Sequence, residues 1–527
     1  LGRIPRKHEH SPEPSPGAVM RSAATKRGRA PESRAAGKFQ AGASIAGGAK
    51  LVGDSHEGVT PVERDAFSSI SPLDHRYYVS SPRLFDRLSE YLSERATIAY
   101  QARVEAALVK VLAKRGLCPA SVYDEVAAAA KAVTPEEVYR EEEKTHHNIR
   151  ALVNVIRSKV SDAAKPYVHF TATSMDIMDT ARSLQYRDVT EHLLLPQLKE
   201  LLGVFIALAR READRLQAGR THGQHAVPIT FGFAVAEYVS RLGGRIERIA
   251  AAARALKGKM AGAVGAYNAS RLFFDDPEAF EAEVLGELGL EPADHATQVV
   301  EPEYILDYIH ALVSAFGVLA NFADDVRHLQ RTEIGEVGEA FDATQVGSST
   351  MPHKRNPWNY EHVKSLWKTF APRIMTVYMD QISEHQRDLT NSASARFTAE
   401  LIAGFSAAVD RLTRVTKKLV VDHKRMEENF RSTQGYVIAE PLYILLAAAG
   451  HPDAHEAVRR LTFKFERNEG SLYDLAAADP ELAPYLERFT DEQRRVLQDP
   501  GRYAGIAAEK ARRVCDKWEA RLASLTL

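Results

Sequence analysis

Between residues 303 and 334 the apolar side chains Ile305, Ile309, Leu312, Phe316, Leu319, Phe322, Val326 and Leu329 recur in steps of three and four. That spacing is close to the 3.5-residue repeat of a packed helix seam. Pro302 stands just before the run, no proline interrupts it, and Gly335 and Gly338 follow. The pattern predicts one rod about 45 Å long at 1.5 Å per residue. Similar runs cover 176–217, with a kink expected at Pro196, and 230–260, and strand-like alternation is nearly absent. Rods of this length predict an all-α fold, with an elongated central helical bundle flanked by smaller helical N- and C-terminal domains. The expected divisions are a leader over 1–65, an N-terminal helical domain over 66–175, the bundle over 176–421 and a C-terminal helical domain over 422–527. Apolar residues on more than one side of the rods, and the alanine-rich stretch 250–255, point to helices from other copies of the chain.

At 527 residues the chain is too long for one core, and about three domains are expected. Lys and Arg number 69 against 70 Asp and Glu, a balance that gives no support for attraction to a nucleic-acid polymer or an acidic membrane. The apolar stretches read from the sequence fall short of the ~20 residues of a membrane span. Two cysteines, Cys118 and Cys515, cannot form a disulfide framework, and a reducing compartment such as the cytoplasm is expected. The first 50 residues carry ten Lys or Arg, three Glu and no apolar period. Such a segment is expected to be a disordered leader dispensable for the fold, with an organellar transit peptide as the alternative.

The most informative stretch is Gly347-Ser348-Ser349-Thr350-Met351-Pro352-His353-Lys354-Arg355-Asn356-Pro357, followed by Glu361. Hydroxyls beside a glycine, two prolines and a run of cationic and amide donors suit a polar loop that holds carboxylates or phosphate. A second constellation is Gly219-Arg220-Thr221-His222-Gly223-Gln224-His225. His222 and His225 could ligate a metal if the segment were helical, but Gly219, Gly223 and Pro228 predict a loop entering a helix, with no third ligand nearby. Lys144-Thr145-His146-His147-Asn148 lies in a helical run, and His169 precedes Thr173-Ser174-Met175-Asp176, ordinary N-capping chemistry before a long helix. Arg387 and Arg396 flank hydroxyls and an amide, a composition suited to phosphate.

The loop resembles the signature of the fumarase/aspartase superfamily, and its His-Lys-Arg-Asn-Pro version resembles the adenylosuccinate lyase family, from about Ser71 to the C-terminal domain. The resemblance implies homotetramers that eliminate fumarate from a succinyl nucleotide without metal or organic cofactor. Within it, His222 of the Thr-His-Gly motif is implied as general acid and Ser348 as base. Lys354 and Asn356 would stabilise the aci-carboxylate, Glu361 orient an imidazole, and His147 bind and polarise the substrate. The implied substrate contacts are Arg76, Tyr77, His146, Asn148, His169, Thr173, Ser174, Gln298, Ser349, Arg355, Asn356, Arg387, Ser392 and Arg396. The chain departs from the family at Asn148, where Asp is more frequent, and at His146, where Arg or Asn is common. Sites shared between subunits are implied as well.

Overall fold

In a computed structural model, residues 65–527 form one compact unit. The residues described are 69–341, 350–351, 353–466 and 471–524, so the expected leader lies outside them. The elements that position the site are, in order, α1 (Glu94–Lys114), α2 (Pro135–Thr145), α3 (Asn148–Ser158), α4 (Ser174–Val189) and α5 (Leu195–Arg211). A hairpin of β1 (Leu216–Thr221) and β2 (Gln224–Thr230) follows. Then come α6 (Phe231–Arg254), α7 (Glu303–Leu329), α8 (Trp358–Phe370), α9 (Thr398–Lys417), α10 (His423–Val437) and α11 (Ala507–Ser524).

The architecture is all-α, as expected, with α7 at its centre against α6, α8 and α9. Of the seam residues, Ile309, Leu312, Phe316, Leu319, Phe322 and Val326 are buried, and so are Tyr308, Ala311, Ala315 and Val318 on its other sides. Burial all round is why the sequence there is nearly devoid of charge until Asp324. Phe322 packs on Phe205 of α5 and Tyr238 of α6, with ring centroids 4.4 and 5.1 Å apart. The runs Ser174–Arg211 and Glu303–Leu329 are long and apolar enough to cross a membrane by length and composition, and both lie mostly inside the bundle.

Several boundaries differ from the periodicity. The run expected over 176–217 is helical over Ser174–Arg211, with a π-helical turn at Thr190–Leu194 just before Pro196. Proline at the second position of α5 cannot donate to the preceding turn, and the wider turn accommodates it without ending the helix. The run expected over 230–260 stops at Arg254. The loop expected at His222 is instead an antiparallel hairpin.

α11 returns onto α5 and α6. Gly243 of α6 lets it approach, because a Cβ there would fall 2.4 Å from the Trp518 ring. Gly243→Ala should therefore destabilise by about 1–3 kcal/mol despite the better helix propensity of alanine. A thermal midpoint equal to or above that of the parent chain would refute this packing role.

Candidate active site

α2 ends where His146 adopts a left-handed conformation, φ 51°, its N–H bonding to Glu142 O at 2.7 Å. Asparagine is common at such a C-terminal position because its side chain tolerates that region, and histidine is among the residues enriched there. The helical run through 144–148 is thus broken, and His147 begins α3 as its N-cap. Its Nδ1 accepts from Arg150 N–H at 3.2 Å, which leaves the ring proton on Nε2 while the imidazole is neutral. Nε2 lies 3.4 Å from Ser174 Oγ. Asn148 turns inward: its Oδ1 accepts from Ile149 N–H at 2.8 Å and its Nδ2 faces Met178 Sδ at 3.7 Å. Thr173 and Asp176 form a capping box at the start of α4.

Behind that box is a fully buried ion pair, Asp176 with Lys259. Asp176 also accepts the N–H groups of Thr173, Ala261 and Gly262 at 2.8–3.3 Å. His169, at φ 63°, presents its Nδ1 2.7 Å from the buried Glu105. Thus His146, His147, Asn148, His169, Thr173 and Ser174 come together at the α4 N-terminus.

Gln298 joins this end of the bundle, its N–H bonding to Gln386 O at 3.3 Å, while Val300 N–H donates to Asp179 of α4 at 3.0 Å. Burial pushes the Asp179 carboxyl up, against the opposing pull of Arg182. A cavity here is lined by Asp179, Arg182, Ser183, Arg387 and Asn391 among others. Arg387, φ 96°, donates from its two terminal nitrogens to the carbonyls of Gln381, at 3.2 Å, and Asp380, and its Nε has no partner among the described residues. Ser392 and Arg396 are exposed on the same segment.

The other end of α7 carries the remaining groups. The hairpin turns on two residues, His222 (φ 56°) and Gly223 (φ 75°), the conformation of a two-residue I′ turn. His222 is exposed at the tip. His225 instead bonds Thr433 Oγ1 of α10 at 2.7 Å, and burial, with Arg220 beside it, holds it below its usual pKa. The two histidines do not point at a common ligand. The hairpin is anchored by Glu336, fully buried, which takes Gln217 at 2.7 Å, Arg220 at 2.5 Å and Asn429 at 2.9 Å.

Ser348 and Ser349 lie outside the described residues. Lys354 is exposed and Asn356 half-buried, and the Arg355 guanidinium sits 5.8 Å from the Phe341 ring centroid. Gln330 ties this segment down through Arg355 O at 3.1 Å. Glu339 takes the Asn359 and Tyr360 N–H groups at 2.8 and 3.2 Å, capping α8 from outside it. Glu361, in the first turn of α8, is half-exposed with Arg327 Nε 3.9 Å away. On the same helix His362 Nε2 meets Tyr77 Oη at 2.9 Å. Burial, then the charges of Arg411 and Arg76, hold His362 below its usual pKa, while burial pushes the Tyr77 phenol up. Arg76 itself is exposed.

The two ends are far apart within one chain. The run Ser174–Arg211 is 38 residues, about 57 Å of helix. The hairpin is rooted at its far end by Arg215 and Gly232 N–H bonds to Glu212 O, 3.0 and 2.9 Å. Seven extended residues from Arg215 reach at most about 25 Å, and the step from Arg211 to Arg215 adds a few more, so His222 stays about 20 Å or more from Ser174 and His147.

Among the described residues seven non-glycines have positive φ, and four of them, His146, His169, His222 and Arg387, are residues expected in the site. Strained backbone of this kind persists where surrounding structure holds a side chain for use. Sequence reasoning missed Glu105, Lys259, Glu339 and His362. Glu105 could have been found: Ile98, Glu105 and Leu112 stand seven apart, so an acid occupies an apolar seam position.

Known proteins share this fold and much of this sequence. Residues 75–369 match the family model described as lyase, and 383–481 match the adenylosuccinate lyase C-terminal model. Adenylosuccinate lyase of Archaeoglobus fulgidus is 34% identical over 84% of this chain and 98% of its own. That of Pyrococcus horikoshii is 35% identical over 85% and 98%. Among solved structures, the 3-carboxy-cis,cis-muconate lactonizing enzyme of Pseudomonas putida superposes with TM-score 0.72 at 28% identity, covering 83% of this chain and 98% of that one. A fumarate lyase from Mesorhizobium sp. BNC1 gives 0.71 at 25%, covering 82% and 97%. With both models in sequence order and the relatives matched almost end to end, the chain belongs to the adenylosuccinate lyase family of the fumarase/aspartase superfamily.

Proposed function

We propose that the chain eliminates fumarate from adenylosuccinate, giving AMP, and from the succinyl-carboxamide imidazole ribotide of purine synthesis, in the cytoplasm and without a cofactor. The observation that carries this is the near end-to-end similarity to adenylosuccinate lyases, supported by the Thr221-His222-Gly223 motif at the hairpin turn. Ser348 Oγ takes the proton from the carbon beside a carboxylate, and the electron pair spreads into that carboxylate as an aci-carboxylate, stabilised by Lys354 and Asn356. The C–N bond then breaks, fumarate forms, and the departing nitrogen takes its proton from His222. Glu361 orients an imidazole, and His147 binds and polarises the substrate. Arg76, Tyr77, Gln298, Arg387, Ser392 and Arg396 hold the nucleotide.

The separation of His147 from His222 supports a site built from several copies in a homotetramer, with the end of one bundle laid against the opposite end of another. The muconate-type structural neighbour favours a second reading, a carboxymuconate cycloisomerase. One assay separates them: fumarate release on adding adenylosuccinate, with argininosuccinate and carboxymuconate as controls. Turnover of carboxymuconate alone would replace the first reading with the second, and turnover of none would leave a non-catalytic helical scaffold.

A further inference from the structure

His169 is held as no other histidine in the described chain is. Both oxygens of one carboxylate clasp it: Glu105 Oε2 accepts the His169 backbone N–H at 3.0 Å, and Oε1 lies 2.7 Å from Nδ1. The Glu105 side chain is fully buried in α1, whereas that of His169 keeps 21% exposure. A carboxylate can only accept, so Nδ1 carries a proton and the ring's free polar atom is Nε2. The backbone at His169 is left-handed, φ 63°, a conformation that costs energy in a residue with a Cβ and is retained here by the two-point grip. His169 lies four residues before Thr173, with Asp176 of α4 and Arg150 of α3 acting on its ring, at the end of the bundle assigned above to substrate. The seam position of Glu105 would pack better with leucine if packing were its only task, since a buried carboxylate needs compensation to be tolerated.

Resting on the lyase reading above, we propose that Glu105 is a positioning residue of this reaction, fixing the His169 ring so that Nε2 donates a hydrogen bond to an anionic group of the nucleotide substrate. Carboxylate–imidazole pairs act in this way wherever the far nitrogen must be aimed and its basicity raised. The groups facing His169 are Glu105 on α1, Asp176 on α4 and Arg150 on α3. Burial disfavours the imidazolium, but the charge and hydrogen bond of Glu105, helped by Asp176, outweigh burial and Arg150 and hold His169 above its usual pKa. The sign follows. A donor at Nε2 requires the cation when Nδ1 is already protonated, so this contact is present below the raised pKa and is lost as pH rises through it.

The test is initial-rate fumarate release by the full-length enzyme across pH. Glu105→Gln keeps the shape and removes the charge. It is expected to raise KM for adenylosuccinate about tenfold near neutral pH, with a much smaller change in kcat, and to abolish the alkaline rise of KM expected of the parent enzyme. A KM–pH profile superimposable on that of the parent overturns the proposal, as does a loss confined to kcat. Should Glu105→Gln fail to fold, His169→Gln carries the same test at a partly exposed position. The same KM rise with no alkaline limb supports the proposal, and an unchanged KM overturns it. The parent enzyme is the internal control: no fumarate from it would remove the lyase reading itself, whereas normal turnover with unmoved variant profiles removes only the role of Glu105.

Discussion

Two inactive variants, His147→Gln and His222→Gln, should regain activity when assembled together. Each alone is expected to lose about 10²–10⁴-fold in kcat, the usual worth of a positioned acid or polarising imidazole. Within one chain the two residues are about 20 Å or more apart, set by the length of the α4–α5 run, so no single copy could bring both to one reacting centre. Random mixing of equal amounts would give a site one intact His147 from one copy and one intact His222 from another in about a quarter of cases. Partial recovery after co-expression, or after dissociation and reassembly, is the expected result. Activity no higher than the sum of the separate variants would show that each site is contained in one chain and sink the shared-site reading.

The second large effect concerns stability. Lys259 and Asp176 are both fully buried and paired. Lys259→Met removes the cation but leaves a carboxylate that still accepts three backbone N–H groups. Breaking one side of such a pair typically costs about 3–5 kcal/mol, because the remaining charge is stranded away from water. Lys259→Met should therefore lower the thermal midpoint sharply, and Lys259→Met with Asp176→Asn should recover much of the loss, since no charge is then left unpaired. A single variant within about 1 kcal/mol of the parent would mean that water reaches Asp176. The site feels the change too, because Asp176 caps the turn that carries Thr173 and Ser174.

The rods were legible because a helix buried along its length writes a period of three and four into its sequence, and α7 does so over eight seam residues. The hairpin was not, because only Leu216 and Ala218 of β1 reach an apolar cluster, with Phe430 and Val437 of α10, while Gln217 and Arg220 bond the buried Glu336. Alternation in 216–230 is confined to Leu216-Gln217-Ala218, too short to read as a strand, and the local sign of a turn was the glycine after His222. The site residues could be picked from motifs, but their grouping could not: that His147 meets Ser174, and His169 meets Glu105, depends on how α1, α3 and α4 cross. Glu339 as the cap of α8 left no trace in spacing, since it reaches Asn359 from twenty residues away along the chain. His146 and Asn148 stood out as departures from the family. The fold gives each a local task, one ending α2 in a left-handed conformation and the other turned inward on α3.

The Trp518–Gly243 seat has a consequence for how the protein is made. α6 is synthesised some 270 residues ahead of the helix that covers it, and at roughly 5–20 residues per second that interval is about 15–50 s. Until α11 leaves the ribosome, the groove around Gly243 on the nascent bundle has no lid and offers apolar surface to any neighbour. The bundle thus closes only once α11 has emerged, and a nascent chain of this kind is a natural client for whatever shields unfinished polypeptides in the cell.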